Sequence, residues 1–143
     1  MPTRSAKADW QGEIKRGGGS VSTETGALDA QYNFSGRFES GAGTNPEELL
    51  GAAHASCFTM ALSLGLSQAG TPPERLETSA DVTIDQVEGG FGITKIALKV
   101  TGRVPGLDAD GFEQAAQGAK AGCPVSKALA SVPEITLETN FES

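Results

Sequence analysis

The segment GTNPEELLGAAHASCFTMALSLGLSQAG, residues 43–70, decides how this 143-residue chain is read. Thr44 or Asn45 supplies an N-cap, Pro46 suits the first helical position, and Glu47 and Glu48 put negative charge at the positive end of the helix dipole. Gly70 and the TPP after it stop the helix. Leu49, Leu50, Phe58, Met60, Ala61, Leu62, Leu64 and Leu66 spread around its circumference. That pattern predicts a helix buried on most sides, either central to the fold or lodged in a subunit interface.

Upstream, the chain is strand-like: KADWQGEI at 7–14, a glycine turn at 17–19, VSTET, and QYNFSGRFE at 31–39. The glycine turn lacks the GK[ST] ending of a phosphate loop and lies between strand patterns, so it reads as a hairpin turn. Downstream, RLETSADVTIDQVEG and FGITKIALKVTGRV alternate in polarity and meet at Gly89 and Gly90, predicting a long hairpin. A second helix is expected over 108–122, a short third over 123–131, and a closing strand in EITLETNFE. The expected class is α+β with antiparallel sheets, as one domain spanning 1–143.

A formal net charge of −7 and a pI near 4.6 disfavour a nucleic-acid or anionic membrane partner. The N-terminal segment lacks the apolar run of a secretory signal, and polar residues interrupt the stretch 49–66, so a cytoplasmic, non-spanning protein is expected. In a reducing compartment two cysteines point to catalysis, redox chemistry or packing before a permanent bridge. Two cysteines and one histidine make a poor metal set, since a structural zinc takes four ligands.

Cys123 precedes Pro124, which makes it a candidate N-cap, where free N–H groups and Lys127 favour a thiolate; a plain interhelical loop explains the same residues. Cys57, inside an apolar helix, reads first as a small hydrophobe. His54, three residues before it, shares its face and is either a packed histidine or an activating base, and it stands as a secondary candidate.

Taken together, RFESGAGTNPEELLGAAHASCFTMAL and the distant AGCPVSKAL resemble the OsmC/Ohr family of osmotically inducible and organic hydroperoxide resistance proteins. WQGEIKRGGGSVSTETG and FGITKIALKV look like its OsmC branch. The resemblance implies a thiol peroxidase for organic hydroperoxides with no bound metal or haem. In it Cys57 is the peroxidatic and Cys123 the resolving cysteine, Arg37 activates, and Glu47 partners Arg37. It also implies an interlocked homodimer and, as reductant, an external dithiol or a lipoylated protein.

On a continuous helix Glu47 and Cys57 lie about 15 Å apart along the axis at roughly 1.5 Å per residue. Glu47 is therefore expected to serve the Cys57 of a partner chain, in a composite site. Phe58, Met60 and nearby leucines are expected to desolvate the thiol and favour an alkyl tail, although core packing explains Phe58 and Met60 better. Two other functions fit the same sequence: a carrier of a lipid-like ligand with incidental cysteines, and a redox sensor that changes shape on disulfide formation.

Overall fold

A computed structural model describes residues 2–143. The chain forms two compact units, residues 1–49 and 50–143.

In the first unit, β1 (Ala6–Ala8), β2 (Gly19–Thr23) and β3 (Asp29–Tyr32) form an antiparallel sheet in that order. The expected strand over 7–14 stops early. Its continuation turns back on itself, with the Glu13 carbonyl accepting from the N–H groups of Arg16 and Gly17 and an isolated bridge joining Gln11 to Gly18. The glycine stretch 17–19 accordingly lies in a hairpin.

The stretch 31–39 is corrected from strand to strand plus helix. After β3 the chain forms the single-turn helix α1 (Phe34–Phe38). Asn33 caps it, its Oδ1 accepting from the Gly36 N–H at 2.7 Å. Phe34 and Phe38, one turn apart, pack with ring centroids 5.1 Å apart. Asparagine's preference for capping outweighs the weak alternation of aromatic and polar residues.

Helix α2 (Pro46–Gln68) begins as its sequence indicates. Asn45 is the cap, accepting from the Glu48 N–H at 2.7 Å, while Thr44 donates to the Glu48 carboxylate. Gly70, at φ +87°, makes the left-handed turn that ends the segment.

In the second unit, β4 (Arg75–Val87) and β5 (Gly90–Arg103) form the expected antiparallel hairpin. Helices α3 (Ala109–Gly122) and α4 (Pro124–Ala128) follow, and β6 (Glu134–Glu142) completes a sheet ordered β4-β5-β6. The β5–β6 pairing is parallel, so this sheet is mixed where an antiparallel one was expected. The cause is the connection: α3 and α4 carry the chain back across the sheet before it re-enters, which returns β6 in the same direction as β5.

The core of this unit joins Ile96, Leu98 and Val100 of β5 to Phe58, Leu62 and Leu66 of α2 and to Phe112 and Ala116 of α3. Burying each large apolar side chain contributes about 1.5–3 kcal/mol. Gly102 of β5 lets Phe112 approach: a Cβ there would lie 2.4 Å from the Phe112 ring. Only part of α2 is buried in this way. Met60 is 75% exposed and Leu64 59%, so within one chain the helix has a core face and an open apolar face, not burial on most sides. By length and composition α2 could cross a membrane, but its Phe58, Leu62 and Leu66 are seated in a protein core.

Candidate active site

Two groups of expected site residues are each drawn together. In the first unit, α1 carries Arg37 and the first turn of α2 carries Glu47. The Arg37 Nε and Nη2 donate to the two carboxylate oxygens of Glu47 at 3.0 and 3.1 Å, a bidentate pair that fixes the plane of the guanidinium. Glu47 is nearly buried, with its side chain 7% exposed, whereas that of Arg37 is 39% exposed. Glu48, chemically equivalent to Glu47 in the sequence, turns instead to Thr44. The helical backbone of α1 thus aims Arg37, a residue that the sequence pattern put on a strand.

In the second unit, Cys57 in the middle of α2 and Cys123 at the start of α4 are free thiols close enough for each to shift the acidity of the other. Cys123 is fully buried and Cys57 half-buried. Cys123 occupies the N-cap position with Pro124 at the helix start, as the sequence suggests. It makes no side-chain capping bond.

The two thiols differ in acidity. Burial pushes the Cys57 thiol up, and the hydrogen bond to Cys123 and the charge on that sulfur add to the effect, against a single backbone N–H from Val125. Burial also acts to raise Cys123, but hydrogen bonds from Cys57, from the Ser126 backbone and hydroxyl, and from the Val125 backbone outweigh it and bring the thiol below its ordinary value. Within one chain the thiolate of the pair is favoured on Cys123.

His54 is completely buried one turn before Cys57, yet its partner is neither Cys57 nor the backbone: Nε2 lies 2.7 Å from the hydroxyl of Ser126. Burial holds its pKa below the usual 6.5, so the imidazole is neutral at physiological pH. Ser126 was not singled out by sequence. Its place three residues after the N-cap Cys123 is the signal that could have found it, because that position faces the cap side chain. Phe58 belongs to the buried core cluster against which Cys57 packs, whereas Met60 is exposed within one chain. Among the described residues no group of three or more His, Cys, Asp or Glu could hold a metal ion.

An α+β fold carrying two neighbouring free thiols, one at the start of a helix, is a paired-cysteine protein. The chain belongs to the OsmC family: the model for OsmC-like protein matches residues 39–138. It is 56% identical to peroxiredoxin OsmC of Escherichia coli (strain K12) over 98% of this chain and 97% of that one. It is 33% identical to an organic hydroperoxide resistance protein of Xanthomonas axonopodis pv. citri (strain 306), covering 85% of each chain. Among solved structures, an organic hydroperoxide resistance protein from Elizabethkingia anophelis superposes with a TM-score of 0.77 at 26% identity, over 99% of this chain and 98% of that one.

Proposed function

We infer that this protein is a cysteine-based peroxidase that reduces organic hydroperoxides to alcohols. The observation that carries the reading is the juxtaposition of Cys57 and Cys123, two free thiols brought from separate helices to where each shifts the acidity of the other, in a chain 56% identical to a peroxiredoxin. Two reduced thiols close together can donate the two electrons that cleave a peroxide bond, and they end oxidised as one disulfide.

In the proposed sequence the Cys57 thiolate attacks the terminal oxygen of the hydroperoxide. A sulfur–oxygen bond forms, the oxygen–oxygen bond breaks, and the alkoxide leaves with a proton as the alcohol. Cys57 is then a sulfenic acid. Cys123 attacks it, the disulfide forms, and the hydroxide leaves as water. An external dithiol, free or carried on a lipoylated protein, regenerates both thiols by exchange.

This assignment asks Cys57 to be the first thiolate, whereas the groups around it in one chain favour Cys123. A cation beside Cys57 reverses that order. We assign that role to Arg37 of a second copy, its guanidinium held flat by Glu47 and always charged. The open apolar face of α2 at Met60 and Leu64 supports a homodimer, and the length of α2 between Glu47 and Cys57, about 15 Å, favours donation across it. In that reading the chain works as one cytoplasmic domain, 1–143, consistent with a family match that runs through both units.

The deciding experiment is one turnover with limiting alkyl hydroperoxide, followed by steady-state turnover with dihydrolipoamide. Cys123→Ser should still consume one equivalent while Cys57→Ser consumes none; the reverse pattern overturns the assignment. A wild-type protein without dithiol-dependent turnover would be a carrier, not a peroxidase.

A further inference from the structure

Beyond the two cysteines, Arg37 and Glu47, one buried polar arrangement is left unused by that chemistry. His54 is wholly enclosed, at 0% exposure, and Ser126 nearly so, at 8%. Their side chains come from α2 and α4 and meet at 2.7 Å. Ser126 stands three residues after the N-cap Cys123, and hydrogen bonding from its hydroxyl and backbone N–H is among the causes that bring the Cys123 thiol below its ordinary value. A buried histidine–serine contact costs desolvation of both groups, and an apolar pair would avoid that cost.

The hydrogens can be assigned from the network. His54 Nδ1 has no partner among the described residues. If Nδ1 carried the proton of the neutral ring, a buried N–H would be orphaned and the serine hydrogen would turn toward Nε2, away from the sulfur. With the proton on Nε2, the imidazole donates to the Ser126 oxygen, and the serine hydrogen is free to donate to Cys123. The second arrangement leaves only an acceptor unpaired. All the hydrogens then point one way, from His54 through Ser126 to the sulfur.

We propose that His54 and Ser126 are positioning residues for the resolving step, a buried donor chain that holds Cys123 as an aimed thiolate ready to attack the Cys57 sulfenic acid. The proposal rests on the peroxidase reading above. In the step itself the Cys123 sulfur forms a bond to the Cys57 sulfur, the sulfur–oxygen bond breaks, and the departing hydroxide takes up a proton to leave as water. The chain supplies no electrons and keeps its own protons. As the disulfide forms, the sulfur loses its charge and the serine donates to a much weaker acceptor. The chain thus favours the nucleophile over the product and keeps the disulfide open to reduction by a dithiol. The titratable groups set against Cys123 are Cys57 of α2 and, through Ser126, His54 of the same helix.

The test compares wild type with Ser126→Ala, Ser126→Thr, His54→Leu and His54→Gln. After one equivalent of an alkyl hydroperoxide, the Cys57 sulfenic acid is trapped with a dione reagent and the disulfide is quantified by mass spectrometry over time. Ser126→Ala and His54→Leu should slow disulfide formation relative to sulfenic acid formation by roughly tenfold, as expected for loss of a hydrogen bond to a charged group. Ser126→Thr and His54→Gln, which keep a donor, should recover most of the ratio.

A second readout needs no hydroperoxide. In a Cys57→Ser background, ultraviolet absorbance of the Cys123 thiolate should titrate about one pH unit higher in Ser126→Ala, the equivalent of that tenfold. Unchanged ratios together with an unmoved titration would overturn the proposal. So would a uniform loss in all four variants, which marks a packing role. If wild type forms no sulfenic acid at all, the peroxidase reading fails, and the titration still decides whether the donor chain acts on Cys123.

Discussion

Cys57 and Cys123 touch, but their surroundings make them different reagents. Cys57 lies in the middle of α2, where the N–H groups of its own helix are spent on the ladder and only the Val125 backbone favours its thiolate, and burial raises its pKa. Cys123 sits where α4 begins, and hydrogen bonding from Cys57, the Ser126 backbone and hydroxyl and the Val125 backbone outweighs burial and lowers its pKa. Position within a helix therefore decides how a thiol ionises, even for two sulfurs that act on each other. The acidic thiol is suited to resolve, and the other needs a cation before it can attack.

The comparison breaks most visibly when one sulfur is removed. Cys57→Ser should abolish steady-state turnover of an alkyl hydroperoxide, whereas Cys123→Ser should retain the first chemical step and accumulate sulfenic acid, read by dione trapping. Removing the assigned cation comes next. Arg37→Ala should lower kcat/KM by about 10²–10³, the scale of losing a fixed charge-stabilising donor, while Arg37→Lys, which cannot pair bidentately with Glu47, recovers little. If Arg37→Ala turns over normally, Cys57 obtains its charge balance elsewhere.

A packing change next to Cys57 tests whether its environment is structural. Phe58 is fully buried in the core, so Phe58→Ala should cost about 3–5 kcal/mol in urea unfolding. Leu64→Ala, on the open face, should change the stability of a single chain by less than about 0.5 kcal/mol. Any larger loss that depends on protein concentration would mark that face as a subunit contact.

The smallest effect concerns His54. Its folded-state pKa lies below the ordinary 6.5, so the unfolded chain binds its proton first. That contribution to stability is fully present above pH 6.5 and is lost as pH falls from there through the folded value. The melting temperature should decline over this interval in wild type and be flatter in His54→Gln. An equal decline in both would assign the pH dependence to other groups.

Helix boundaries were legible because capping is local: Asn45, Pro46 and Gly70 act on neighbours within four residues, and the structure uses Asn45 and Gly70 as their chemistry suggests. The β4–β5 hairpin was legible for the same reason. The α1 turn was missed because one asparagine cap competes with an alternating stretch, and neither signal is strong over nine residues. The parallel pairing of β6 was missed because direction depends on where α3 and α4 lead the chain, which alternation cannot encode. Glu47 and Glu48 could not be separated by composition, since both suit a first turn; their side chains diverge only because Arg37 approaches one of them.

By itself the sequence determined the caps, the long α2, the α+β class and Cys123 at a helix start, all set by interactions between residues close along the chain. Only the tertiary structure decided that Cys57 meets Cys123 and that His54 meets Ser126. It also left one face of α2 uncovered in the single chain. The physical reason is range. Hydrogen bonds within a turn follow from neighbouring residues, whereas contacts between α2 and α4 depend on the path that the hairpin and α3 trace between the two helices.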